Sequence, residues 1–258
     1  MSKTDILNKQ DLASIVVPVY NAAQFLDDTI KTVQKQTYKN WELIFVNDCS
    51  RDDSINIIKK YQAGDKRIKL FNMEINSGAA LSRNKGIDEA GGKYLAFLDA
   101  DDLWEDNKLE KQLAFMKSKD CAFSFTGYEF ANSDGKPNGK KVFVPNMINY
   151  KQALKNTIIW TSTVIFDTKK LSKQTIHMPN VKSEDTATWW NILRQGYVAY
   201  GLNEILSYYR RSEGSLSANK LVAIKRTWDL YRIVERLNIF YSCYCFCWYA
   251  LNATMKRL

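Results

Sequence analysis

Four short apolar runs in the first hundred residues alternate with helical patterns, and this alternation constrains the fold more than any other feature. Residues 15–19 (IVVPV), 41–46 (WELIFV), 67–71 (RIKLF) and 94–98 (YLAFL) are rich in apolar and β-branched side chains, as strands covered on both faces are. Between them, 22–36 carries Phe25, Leu26, Ile30 and Val33 at helical spacing. Residues 51–62 follow Ser50, with Asp53 three positions on in the pattern of a capping box, and 78–90 is again helical. A βαβαβαβ order builds a parallel sheet with helices on both faces. The expected class is therefore α/β, a three-layer α/β/α sandwich with a mostly parallel central sheet.

Beyond residue 100 the pattern changes. A helix is expected over 107–118, a strand over 121–130, a turn at Asp134-Gly135 and a returning strand at 141–144. A strand over 161–166, a helix over 184–195 stopped by Gly196 and one or two strands within 197–209 follow. From Ala218 onward the pattern is helical. The N-terminal MSKTDILNKQ has no apolar core, so it does not read as a secretory signal and a cytoplasmic location is expected. Five cysteines show neither disulfide nor zinc spacing, and one histidine, His177, excludes sites built on two imidazoles. Net charge is +9, and residues 202–258 hold nine Lys/Arg against four Asp/Glu, which favours anionic partners.

Ligands of open α/β sheets sit beyond the carboxyl ends of the strands. Asp99-Ala100-Asp101 leaves the fourth run there, and paired carboxylates at a strand end suit a Mg²⁺ or Mn²⁺ ion that holds a diphosphate, although helix capping explains such acids equally well. Asp48 ends the second run and can accept the ring N–H of uracil, thymine or guanine, or form an Asx turn. Residues 76–86 (NSGAALSRNKG) put small side chains and Arg83 at a helix start, fitting either phosphate contact or close helix–sheet packing. Glu184-Asp185 opens a later helix, as a general base or as dipole-favoured acids, and Trp189-Trp190 one turn on fits sugar stacking or core.

Taken in order, these segments resemble family two glycosyltransferases, the inverting, nucleotide-sugar-dependent kind with a GT-A fold. The likeness rests on 15–21 (IVVPVYN), 46–50 (VNDCS), Asn76-Ser77-Gly78 with Arg83-Asn84, 98–102 (LDADD), Glu184-Asp185, and Tyr209-Arg210 followed by Ser215-Leu216-Ser217. Stretches 121–128 and 154–159 add a closer similarity to transferases that build cell-surface polysaccharides such as teichuronic acid. The resemblance implies a metal-dependent hexosyltransferase moving a sugar from a nucleoside-diphosphate sugar, UDP first, to a hydroxyl of a lipid-linked cell-surface saccharide.

It implies residue roles as well. Pro18, Val19, Tyr20 and Asp48 would hold the base, and Arg83 the base or phosphate. Asp99, with Ala100 beside it, would face ribose or metal, and Asp101 would bind the metal. Arg210, Ser215 and Ser217 would close over the diphosphate, with Arg211 as an extra cation. Asp185 would be the catalytic base, and Glu184 and Trp189 would meet the acceptor. One departure stands out: the family usually has Asp-Asp where this chain has Asn47-Asp48, which suggests altered ribose or base contacts.

The implied organisation is a glycosyltransferase domain over 1–217, with a nucleotide-sugar half at about 14–105 and an acceptor half at about 106–217. A basic, aromatic helical extension follows over 218–258. Within it 239–251 (IFYSCYCFCWYAL) is too short to span a bilayer but is flanked by Arg232, Arg236, Lys256 and Arg257. It suits the inner membrane surface, a dimer interface or packing on the domain. A nucleotidyltransferase of related fold is the nearest rival, but the Gly-rich basic loop it needs is absent after Val17. A nucleic-acid partner is not expected, since acid-lined strand ends repel phosphate and no recognition motif is present.

Overall fold

A computed structural model of the chain describes residues 11–210 and 220–255. Among the described residues ten strands form one sheet: β1 Ala13–Val19, β2 Trp41–Asn47, β3 Ile68–Asn72, β4 Tyr94–Phe97, β5 Leu103–Trp104, β6 Phe123–Ala131, β7 Pro137–Val142, β8 Met147–Ile148, β9 Ile165–Asp167 and β10 Ala199–Arg210. Their order is β3-β2-β1-β4-β9-β6-β10-β5, with β7 on β6 and β8 on β10. The β3-β2-β1-β4 block and the β6–β10 pair are parallel, whereas β9 runs antiparallel between β4 and β6.

Alternation along the strands builds the layers. Val16, Ile44, Val46 and Phe97 point to one face, where the helices Ala79–Glu89 and Glu184–Arg194 cover them. Ile15, Val17, Leu43 and Phe45 point to the other, against Leu26 and Ile30 of helix Ala23–Gln34, Ile58 of Ser54–Gly64 and Leu113 of Lys108–Lys119. Gly86 lets the Ala79–Glu89 helix lie close on β1, because a Cβ there would stand 2.3 Å from Val16 Cγ1. The α/β expectation holds.

The chain runs outward from β1 through β2 to β3, then returns to place β4 on the other side of β1. That reversal opens a crevice between the carboxyl ends of β1 and β4. Pro18 suits the opening. It has no N–H for the ladder, and the β1–β4 register ends at Val16 opposite Phe97, so the missing donor falls where the strands part.

Two local expectations change. The second helix begins at Ser54 without a side-chain cap, and Ser50 Oγ instead accepts the Asn21 N–H at 3.0 Å, tying the loops after β1 and β2 together. Within the expected strand 161–166, Thr161–Thr163 is a 3₁₀ turn, and the strand itself is Ile165–Asp167. After residue 220 the chain forms helix Lys220–Asp229, a π turn Leu230–Val234 and helix Ile239–Met255. This segment joins the main core: Tyr231 stacks on Trp190 with ring centroids 5.2 Å apart, and Cys245 is buried. Among the described residues no helix is long and apolar enough to cross a membrane.

Candidate active site

The first cavity, about 340 Å³, lies at the β1/β4 crevice and is lined by Pro18, Val19, Tyr20, Asp48, Arg83 and Ala100, together with Asp99 and Asp101. Asp48 does two things there. Its Oδ1 accepts the Ser77 N–H at 2.7 Å and its Oδ2 the Gly78 N–H at 2.8 Å, so it anchors the start of the Ala79–Glu89 helix while facing the cavity. Gly78 makes that turn at φ +85°, a conformation that favours glycine. Asn47 is turned away: its amide donates to Asn72 and accepts the Ser50 N–H, both at 3.1 Å. The departure from Asp-Asp thus serves the sheet edge rather than the cavity.

Arg83 stands between two acids. Its guanidinium donates to Asp99 Oδ1 at 2.6 Å and to Glu184 Oε1 at 2.7 Å. Burial works against its charge, but the two carboxylates outweigh burial and hold its pKa above the ordinary guanidinium value. Burial raises Glu184, with Arg83 opposing. Burial, then repulsion from Asp99, pushes Asp101 up to about 6. Asp102 is fully buried, and burial with repulsion from Asp101 and Asp99 raises it well above the ordinary carboxylate value; it accepts from Ser162 Oγ, from Trp160 Nε1 at 2.9 Å and from the Arg210 N–H at 3.2 Å.

Among the described residues no group of three or more His, Cys, Asp or Glu side chains could hold a metal unaided. Asp99 and Asp101 nevertheless fit Mg²⁺ or Mn²⁺. They are hard oxygen donors that line one cavity together, and repulsion from Asp99 adds to burial in raising Asp101. Such an ion would need further oxygen ligands from a diphosphate or water.

A second cavity, about 500 Å³, shares Arg83, Asp99 and Asp101 with the first and continues to Asp185. Asp185 lies in the first turn of its helix, after Ser183 at φ +61°. Its Oδ2 accepts from Thr161 Oγ1 at 2.8 Å and its Oδ1 from the Thr186 N–H at 2.6 Å. Arg210 lines the same cavity, bonded to Asp28 at 3.1 Å and lying 5.0 Å over the Phe25 ring. Ser215, Ser217 and Arg211 fall outside the described residues.

Trp189 is a correction. It is 2% exposed, packed among Phe97, Phe123 and Phe166, and is core rather than an acceptor contact. The aromatic groups that do line the cavity are Trp160, Tyr209 and Tyr249, with Arg226 beside them; sequence patterning singled out none of these four for a binding role. His177 pairs with Asp88 at 2.8 Å, away from both cavities.

The glycosyl transferase family 2 model matches residues 14–178, which ends before Glu184, Asp185 and Arg210. A Bacillus subtilis protein named "Putative teichuronic acid biosynthesis glycosyltransferase TuaG" is 46% identical over 97% of this chain and 99% of its own. The Escherichia coli UDP-Glc:alpha-D-GlcNAc-diphosphoundecaprenol beta-1,3-glucosyltransferase WfgD is 38% identical over 85% of each chain. Among solved structures, S. aureus TarS 1-349 in complex with UDP-GlcNAc superposes with a TM-score of 0.70 at 20% identity, over 92% of this chain and 71% of that one. The mannosyltransferase PcManGT from Pyrobaculum calidifontis, in complex with GDP-Man and Mn²⁺, gives 0.71 at 16% identity, over 89% and 65%. The fold is GT-A. The chain belongs to glycosyl transferase family 2 and is a glycosyltransferase.

Proposed function

We propose that this glycosyltransferase moves a hexosyl unit, with inversion, from a UDP-sugar to a hydroxyl of a lipid-linked saccharide destined for a cell-surface polysaccharide. The observation that carries the reading is the acid–arginine chain Asp99–Arg83–Glu184, which joins a nucleotide-sized crevice to the cavity holding Asp185. The reading of the acceptor draws on the WfgD relative, whose name specifies UDP-Glc and a diphosphoundecaprenol-linked GlcNAc.

In this reading the donor half, about 14–105, binds the nucleotide. Asp48 accepts the ring N–H of uracil beside Val19 and Tyr20, its carboxylate already oriented by Ser77 and Gly78. Asp99 and Asp101 would hold Mg²⁺ or Mn²⁺, which when bound would offset the charge growing on the leaving diphosphate. Arg210 adds a cation on the same side. In the acceptor half Asp185 takes the proton of the attacking hydroxyl as oxygen approaches the face of the anomeric carbon opposite the leaving group. The C-terminal helices add the far wall through Arg226, Leu230 and Tyr249.

The exposed side of 239–251 rests on the inner membrane face, which brings a lipid-linked acceptor to the cavity. Phe240, Tyr244, Trp248 and Leu251 recur at helical spacing on that side, and Arg232 and Arg236 precede them.

A donor screen tests the reading. With Mn²⁺ or Mg²⁺ and GlcNAc linked through diphosphate to an undecyl chain, UDP-sugars should release nucleoside diphosphate, dTDP-sugars less and ADP- or CDP-sugars least. Chelator should abolish release and added metal restore it. Full turnover in chelator removes the metal from the reading, and tightest use of ADP- or CDP-sugars removes Asp48 as the base contact.

A further inference from the structure

Trp160 is held in one orientation by contacts on two sides. Its indole Nε1–H donates to the buried Asp102 carboxylate at 2.9 Å, and its ring lies against Tyr209 with centroids 4.1 Å apart at 32°. Tyr128 stands behind at 6.3 Å. The ring lines the 500 Å³ cavity on the wall that also carries Thr161, whose hydroxyl bonds Asp185 at 2.8 Å. Trp160 and Asp185 are therefore linked through Thr161, the residue that follows Trp160. Arg226, Leu230 and Tyr249 also line this cavity, from the C-terminal helices.

We propose that Trp160 is the platform on which the acceptor saccharide stacks. The proposal rests on the assignment of Asp185 as the acceptor-side base. A pyranose has a polar rim and faces of C–H groups; an aromatic ring takes the C–H face and leaves the rim to hydrogen-bonding groups. A hydroxyl delivered to Asp185 brings its own sugar ring onto the wall that Trp160 forms. Because Asp102 and Tyr209 already fix the indole, stacking costs little side-chain ordering. Asp102 is then a positioning residue: it touches no substrate and orients the platform, the Ser162 hydroxyl and the Arg210 backbone together. The aromatic contact that the sequence suggests at Trp189 is supplied instead by Trp160.

The test compares Trp160→Phe with Trp160→Leu. Both lose the indole N–H to Asp102, and only Phe keeps an aromatic face, so the difference isolates stacking. The readouts are acceptor KM and kcat on GlcNAc-diphosphate-undecyl and on GlcNAc and glucose alkyl glycosides, plus UDP affinity by calorimetry. Trp160→Leu should raise acceptor KM about tenfold over Trp160→Phe, with UDP affinity alike in both. Trp160→Met, unbranched and of similar volume, repeats the comparison if Leu costs UDP affinity. Equal KM in the Phe and aliphatic variants overturns the platform, as does a KM that stays at the wild-type value while kcat alone falls. A wild-type enzyme that binds UDP but transfers to none of these probes overturns the acceptor-side reading, and the platform with it.

Discussion

Arg83 and Glu184, 101 residues apart, pair at 2.7 Å and bind helix Ala79–Glu89 to helix Glu184–Arg194. The Arg83 side chain is 7% exposed and Glu184 20%, so water screens the pair little. Arg83 also holds Asp99 at 2.6 Å, and it lines both cavities. One guanidinium thus sets the register between the acid motif after β4 and the helix that carries Asp185.

Glu184→Gln keeps a hydrogen-bond acceptor but removes the charge. Arg83 is left buried with Asp99 alone. We expect a loss of about 1–3 kcal/mol in stability, together with weaker UDP binding and a raised acceptor KM, because both cavities feel the arginine. Urea unfolding and calorimetry check this. Unchanged stability with unchanged UDP affinity shows that the pair does not hold the two halves in register.

The first cavity was legible because β1, β2 and β4 are buried on both faces and read as continuous apolar runs, so Asp48, Asp99 and Asp101 could be located at their ends. Trp160 and Thr161 were not. They belong to a turn shaped by Asp102, 58 residues earlier than Trp160, and no local periodicity encodes a contact of that range. Trp189 shows a different limit. It lies four residues after Asp185 and so on nearly the same helix face, but one turn deeper that face is covered by Phe97, Phe123 and Phe166. Depth along the helix, not angle around it, separates the cavity-lining Asp185 from the buried Trp189.

Lys108 gives a pH signature. Its amine is fully buried, donates to Gln112 and lies 4.5 Å over the Trp104 ring; burial lowers it to about 7 from 10.5. Between those values the unfolded chain binds the proton and the folded protein does not, so this lysine makes stability rise with pH through that window. Below pH 7 both states are protonated and its full cost stays in place. Lys108→Met should therefore melt higher than wild type at neutral pH, with the gap narrowing from about pH 7 to 9. Circular dichroism melts in matched buffers measure it. A gap constant across that range shows that Lys108 does not titrate in the folded protein.

Membrane docking is tested at the face bearing Phe240, Tyr244, Trp248 and Leu251, of which Phe240 is 86% exposed. The protein should float with vesicles containing phosphatidylglycerol, less so in high salt, and poorly with phosphatidylcholine alone. The double change Phe240→Ser and Trp248→Ser should abolish flotation without altering UDP affinity. If wild type never floats but sediments as a dimer that the same double change dissociates, the face is an interface between copies.

Asp185 bears most of the proposed chemistry, and its surroundings allow a test that separates catalysis from folding. Its carboxylate accepts the Thr161 hydroxyl and the Thr186 N–H, and it lies in the first turn of Glu184–Arg194. Asp185→Asn keeps size and one acceptor oxygen, and loses a dipole interaction of about 0.3–1 kcal/mol, so the protein should fold. The amide cannot take the acceptor's proton, so kcat should fall by roughly 10²–10⁴-fold. UDP affinity should hardly change, since Asp185 lines only the second cavity while Asp48 lines the first. Thr161→Val removes one hydrogen bond to the carboxylate but leaves its basicity, so it should lower kcat far less, and Thr161→Ser should restore it. A folded Asp185→Asn enzyme that keeps most of its kcat would exclude Asp185 as the base. Glu184 would then be the acid to examine, since it lines the same cavity from the adjacent position.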